Sequence, residues 1–307
     1  MNSADLMATA SADLWQLLAL TAGEPSAGHV AVFAALGLAS PGDIQALRAA
    51  HTEAFVAQCV PYASIYVGVE GAIGGEAAAR VADFRRLLGS VAQAGAAQKM
   101  SDYLPDLLAD YAELVALDDD PQARHARKAF FWEHLASWLM PFCDALVRGA
   151  PAPFDGWGAL LGQIMHADAQ ALGMPTQLPL HLREAPAACV GADADSSDAA
   201  ARALFIPAAT GLVLTRADMA RAADATNGQI VPGSRAFMLR TLFDQDVSAT
   251  LTWLSAEAAC QAEARRRELD VFGDIADFWM DRALASHDAL VAMADVVATT
   301  RHDAAHA

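Results

Sequence analysis

The chain has 307 residues, enough for one large domain or two, and its 55% apolar and 19% charged side chains exclude an intrinsically disordered protein. A formal net charge of −17 argues against nucleic acid as a partner, because phosphate backbones are met by clustered Lys and Arg. An acid excess of this size serves either solubility or a basic partner.

At the N-terminus Asp5 and Asp13 precede the first Lys or Arg, which is Arg48. A secretory signal opens on positive charge, so none is expected. The longest uncharged runs, 25–42 and 54–69, are too short and too polar to span a bilayer. A soluble, cytoplasmic protein without stable membrane insertion is expected. Cys59, Cys143, Cys189 and Cys260 stand far apart with no CxxC pair. Free thiols in a reducing compartment are expected, and a cysteine metal site is not.

In chain order, residues 11–20, 41–57 and 75–88 set apolar residues at helical spacing. Before the third of these comes "PYASIYVGVEGAIGGEAAARVADF", residues 61–84. Its glycines do not make a phosphate loop: the lysine and hydroxyl of GxxxxGK[ST] are missing, and Glu70 and Glu76 would repel a phosphate. Gly74-Gly75 before Glu76 predicts a chain reversal into a helix with an acid in its first turn.

The next segment, "SDYLPDLLADYAELVALDDD" at 101–120, holds seven acids and no basic residue. Pro105 belongs in a first helical turn. From there Asp102, Asp106, Asp110 and Glu113 fall near one stripe, beside apolar Leu104, Leu108, Tyr111 and Val115. Arg124, Arg127 and Lys128 follow and could neutralise the acids; the other reading is a groove for a basic, partly apolar peptide. "KAFFWEHLASWLMPFCDAL" then predicts a helix with one broad apolar stripe, kinked by Pro141.

Residues 174–200, rich in Pro, Ala, Ser and Asp, predict a linker or loop. Beyond it Thr215 with Asp218, the stop signal Asn227-Gly228 and a cap at Ser234 mark further helices, followed by long ones over 249–269 and 274–300. Only "IYVGV" and "GLVLT" look strand-like, so the fold class expected is all-α. The segment 214–243 has the helix, turn and helix order of a DNA-binding motif, but its turn is too long and the surrounding charge is wrong for DNA. No Glu-x-x-His or HExxH pattern occurs, and His302 and His306 sit in a tail. No metal or organic cofactor is expected.

Three stretches, "PYASIYVGVEGAIGGEAAARVADF", "YLPDLLADYAELVAL" and "FFWEHLASWLMPFCDAL" leading to "FDGWGALLGQIM", occur in this order. They resemble the TorD/DmsD family of redox-enzyme maturation chaperones over residues 10–172, and 211–242 resembles a C-terminal extension of longer members. The resemblance implies a TorD-like helical chaperone domain at 1–175, a linker at 176–200, a smaller helical block at 201–300 and a tail at 301–307. It implies a chaperone and not an enzyme. The partners implied are the twin-arginine leader and apo form of a molybdoenzyme subunit, held until the molybdopterin cofactor is inserted; a homodimer stays open.

The family's Pro-Asp-His motif near the leader site reads Pro105-Asp106-Leu107 here, and the aromatic motif matches at Tyr62, Ile65 and Tyr66. The peptide groove expected is lined by these residues with Asp110, Glu113, Tyr111, Trp132, His134 and Trp138. The rival class is an all-α small-molecule or nucleotide-binding enzyme or sensor, which a polar cavity in the first domain would favour.

Overall fold

The computed structural model describes residues 11–39, 42–88, 101–186 and 197–306. The fold is all-α, 75% helical, and the β contact among the described residues is a single antiparallel bridge, Tyr62 to Tyr103. There are two compact units: Met1–Gly68 with Ala72–Arg183, and Val69–Gly71 with Glu184–Ala307.

In the first unit, α1 (Ala12–Ala22) opens on Ser11, whose hydroxyl accepts the Leu14 N–H at 3.3 Å. After α2 (His29–Ala35), α3 (Ile44–Thr52) is capped by Asp43 through the Ala46 N–H at 2.8 Å and continues as a π-helix over Glu53–Gln58. The short α4 (Ala63–Val67) and α5 (Gly75–Leu87) flank the glycine turn. Gly74 has φ 97°, a conformation that glycine alone takes without strain, and its N–H donates to Ser64 Oγ at 2.9 Å. The expected reversal into an acid-bearing helix is therefore what the chain makes.

α6 (Leu104–Ala116) carries Pro105 in its first turn and buries Leu104, Leu107, Leu108, Tyr111, Ala112 and Leu114. α7 (Pro121–Phe130) passes through a π-helical turn, Phe131–Ala136, into α8 (Ser137–Gly149). The α geometry is thus lost upstream of Pro141, and α8 runs through the proline. α9 (Phe154–Leu172) and the single turn α10 (Leu180–Arg183) complete the unit. Its core is aromatic: Phe55 lies 5.0 Å from Phe154 and 5.8 Å from Trp157, and Tyr66 stacks on Trp138 at 5.1 Å.

One buried carboxylate ties four of these helices. Asp168 on α9 is fully buried, and its Oδ2 accepts from Tyr111 OH at 2.7 Å, Arg127 Nη2 at 3.0 Å and Trp15 Nε1 at 3.2 Å. Arg127 Nε also donates to Tyr111 OH at 3.1 Å, and its Nη1 lies 3.1 Å from Asp118. Burial, then the charge on Asp168, pushes the Tyr111 phenol well above its ordinary value, so it remains a neutral donor.

The second unit contains α11 (Ser197–Ala203), α12 (Pro207–Thr210), α13 (Arg216–Thr226), α14 (Arg235–Gln245), α15 (Val247–Arg266), α16 (Leu269–Phe272) and α17 (Asp274–His306). Thr215 and Asp218 form a capping box, Asn227 ends α13 at φ 52°, and Ser234 caps α14. Leu212, Leu214, Met219, Leu239, Leu251, Leu254, Ala283 and Leu290 share one core.

Several expectations are revised. "IYVGV" begins in α4, where the Asp102 carboxylate accepts the Ser64 N–H at 2.8 Å and caps the helix start. "GLVLT" is extended but unpaired with any strand; Gln261 satisfies it instead, accepting the Val213 N–H at 3.0 Å and donating to the Val213 carbonyl at 3.3 Å. The unit boundary follows Arg183 instead of residue 175, because α10 packs with the first unit. The 301–306 stretch continues α17 instead of forming a separate tail. Cys59, Cys143 and Cys260 take part in no disulfide among the described residues; Cys189 and the linker segment 187–196 lie outside the described residues.

Removing one partner of a buried ion pair costs about 3–5 kcal/mol, because the remaining charge is left uncompensated. Asp168→Asn is expected to lower the unfolding free energy by about 3 kcal/mol, read by urea denaturation. Glu113→Gln, on the exposed face of α6, should stay within about 0.5 kcal/mol of the parent.

Candidate functional site

Two helices start from the Tyr62–Tyr103 bridge. The Ala63 N–H donates to the Asp102 carbonyl at 3.1 Å and the Leu104 N–H to the Pro61 carbonyl at 2.9 Å. Tyr62 then caps the N-terminus of α4 and Tyr103 that of α6. Their rings lie 5.1 Å apart at 36°, both half-buried. Burial, followed by the charges of Asp102 and Asp106, raises the Tyr62 phenol. Burial, then Tyr62, Asp106 and Glu24, raises Tyr103. Both hydroxyls are neutral donors near pH 7.

Pro105 and Asp106 occupy the first turn of α6, where the helix dipole favours an acid. The Asp106 carboxylate is half-buried and makes no hydrogen bond or ion pair with the described residues. Leu107 is fully buried, which accounts physically for an apolar side chain where the family motif has histidine.

The stripe is not uniform. Arg85 Nε donates to Asp110 Oδ2 at 2.6 Å, the same guanidinium makes a second contact with that oxygen, and its Nη1 donates to the Ser101 carbonyl at 2.8 Å. Burial outweighs Arg85 and pushes the Asp110 carboxyl up to about 6. Glu113 is exposed, and Ile65 is half-buried on α4.

The remaining expected groove residues have interior positions. Tyr66 is 2% exposed and donates to the Val60 carbonyl at 3.1 Å; Trp138, fully buried, donates to the His134 carbonyl at 2.8 Å. Tyr111 belongs to the Asp168 network, and Trp132 Nε1 donates to the Gly173 carbonyl at 3.2 Å. These rings differ from the open aromatic lining expected, since each is held within the core. The structure therefore brings Tyr62, Pro105 and Asp106 together and sets Tyr66, Tyr111, Trp132, His134 and Trp138 apart from them.

Sequence reasoning missed Tyr103 and Glu24. Tyr103 stands two residues before Pro105, a capping position that could have flagged it. Glu24 had no local signal; its charge is among those that raise the Tyr103 phenol.

His134 sits among aromatic rings, 5.1 Å from Phe84, 5.2 Å from Phe130 and 5.8 Å from His181. Arg80 Nη1 donates to His181 Nδ1 at 3.2 Å, and Glu133 accepts the Leu180 N–H at 2.8 Å, which fastens α10. Burial, then His181, Arg85 and Arg80, pushes His134 down to about 3; burial and Arg80 push His181 down to about 4.

Among the described residues no group of three or more His, Cys, Asp or Glu side chains is placed to hold a metal. No described helix is long and apolar enough to cross a membrane.

The fold is all-α, with a half-buried tyrosine pair flanked by acids at the starts of α4 and α6. Residues 8–144 match the family model described as "Nitrate reductase delta subunit". That segment of the first unit, ending inside α8, is similar to this NarJ/TorD-like family of redox-enzyme maturation chaperones. No curated protein and no solved structure matches the chain.

A histidine with a depressed folded pKa takes up its proton later than in the unfolded chain, whose value is 6.5. The unfolded state therefore binds more protons between pH 6.5 and about 4, and stability falls as pH drops through this window. Asp110, raised from 3.8 to about 6, acts in the opposite direction over nearly the same range. With two histidines against one carboxylate, the melting temperature should decline from pH 7 to 4. In His134→Leu the decline should be shallower, as checked by thermal denaturation across that range.

Proposed function

We propose that this chain is a maturation chaperone that binds the twin-arginine leader of a molybdoenzyme subunit on the surface formed by Tyr62, Tyr103 and Asp106. It acts on the cytoplasmic side before export, holding the apo subunit until its cofactor is inserted. The observation that carries this reading is a half-exposed pair of tyrosines beside a carboxylate that has no partner among the described residues. The match of residues 8–144 to a chaperone-family model supports it.

The chemistry is suited to an arginine followed by an apolar segment. Arginine pairs bidentately with carboxylates and lies over aromatic faces. Leu20, near the end of α1 and 46% exposed, offers apolar surface on the helix that packs against α6. Exposed ion pairs contribute only about 0.2–1 kcal/mol each. Micromolar affinity requires about 8 kcal/mol, so apolar contact supplies most of the affinity and the acids supply selectivity and association rate.

Asp106→Asn is expected to weaken a synthetic peptide with two adjacent arginines and an apolar tail by roughly two- to fivefold, measured by calorimetry, with an unchanged melting temperature. Binding to the parent should weaken as salt rises, since charges are screened over about 8 Å near physiological ionic strength. Salt-independent binding of the same affinity to Asp106→Asn would place the arginines elsewhere.

A further inference from the structure

Independently of the leader surface, we infer that α10 is a detachable strap that fills a peptide groove over the π-helical turn Phe131–Ala136. With the strap released, the groove takes a helical turn from another chain, with apolar residues at its first and third positions and a hydrogen-bonding side chain between them. Three consecutive residues of the π-helical turn hold the strap. Trp132 Nε1 donates to the carbonyl of Gly173, where the chain leaves α9, at 3.2 Å. Glu133 accepts the N–H of Leu180, the first residue of α10, at 2.8 Å. The ring of His134 meets that of His181, the second residue, at 5.8 Å. π-Helical turns inside longer helices recur at functional sites.

The other contacts come from α5. Arg80 Nη1 donates to His181 Nδ1 at 3.2 Å while its Nη2 donates to Glu76 at 2.8 Å, and Phe84, one turn on, lies 5.1 Å from the His134 ring. Leu182 is 2% exposed, so the strap buries an apolar side chain as well as its polar contacts. Yet α10 is only four residues long, and its Leu182 and Arg183 N–H groups bond back to the Pro179 carbonyl at 3.0 and 3.1 Å. A single turn of this kind has no stability of its own. Residues 174–179 before it form no helix, and Gly173, at φ 67°, turns the chain out of α9.

A second, independent sign lies against the strap. His134 is 5% exposed, and its Nδ1 has no hydrogen-bond partner among the described residues. Buried polar groups are normally met, and an unmet one opposes the arrangement that buries it. The His181 ring lies beside it, but Nδ1 of His181 is engaged by Arg80. The strap therefore satisfies Glu133 and leaves His134 unsatisfied. A turn that carries glutamine in place of the His181 imidazole keeps the backbone contact to Glu133 and brings an amide that both donates and accepts. Seating the apolar side of a helical turn in a groove is a common mode of peptide recognition.

The test adds the labelled peptide TQLPLHLREA, residues 176–185, or its analogue with glutamine for histidine, to the full chain. Leu182→Glu, which places a charge at a buried position, should release the strap and bind the peptide at least about tenfold more tightly than the parent, where the tethered strap competes. The glutamine analogue should bind the released variant roughly two- to tenfold more tightly still, the range of one added hydrogen bond, and a further Glu133→Ala should cost a similar factor. In the parent, native-state hydrogen exchange should show the Leu182 and Arg183 amides opening well before those of α9. Equal protection of the two segments, equal binding by parent and released variant, or equal binding of a scrambled peptide would each overturn the strap. No advantage of the glutamine analogue would overturn the role of His134. Melting curves are taken first; if Leu182→Glu does not fold, Leu180→Pro replaces it, removing the N–H that Glu133 accepts at a first helical position that tolerates proline. The leader-binding reading stands or falls separately.

Discussion

The first unit depends on a single buried carboxylate. Asp168 collects the indole of α1, the phenol of α6 and the guanidinium of α7 on one oxygen, and it does so from α9 with no exposure to water. Attraction within such a pair roughly balances the cost of taking both charges out of water. Its consequence is geometric: three donors must arrive at one point, which fixes how α1, α6, α7 and α9 are set against one another. The edge-on contact of Trp15 with Tyr111, between α1 and α6, is one product of that constraint.

The aromatic core works with this anchor. Phe55, Phe154 and Trp157 pack at 5.0–5.8 Å, and Trp157 Nε1 donates to Thr21 Oγ1 at 2.9 Å, so α9 is tied to α1 at a second point. Aromatic side chains bury large areas and add edge-to-face attraction. Five of the rings expected to line a peptide groove, Tyr66, Tyr111, Trp132, His134 and Trp138, are buried in this core. Tyr62 and Tyr103 stay half-buried, each at the start of a helix where the backbone bridge between them holds it.

The acids divide by the same logic. On α6, positions one turn apart in sequence have different fates because α5 brings Arg85 to one of them only. Asp110 is thereby neutralised as a surface charge, while Asp106 and Glu113 remain without partners among the described residues. Asp102, first in the acidic run, turns inward and caps α4. A run of seven acids that looks like one feature in the sequence divides in the structure into caps (Asp102 and Asp120), ion pairs (Asp110 with Arg85, Asp118 with Arg127) and an open face.

What the sequence determined by itself is local. Ser11, Asp43, Thr215 with Asp218, and Ser234 announce their helix starts because a cap is a contact over three residues. Pro105 and the Gly74 turn are legible for the same reason, and apolar spacing sufficed for an all-α fold. Tertiary structure decided whatever depends on elements distant in the chain. Gln261 satisfies the extended Val213 backbone from 48 residues away, and α10 joins the first unit through Glu133 from 47 away. The site divides likewise. Tyr62, Pro105 and Asp106 were legible from short motifs, whereas the withdrawal of Asp110 by Arg85 is set by which helices meet, and no local pattern encodes that.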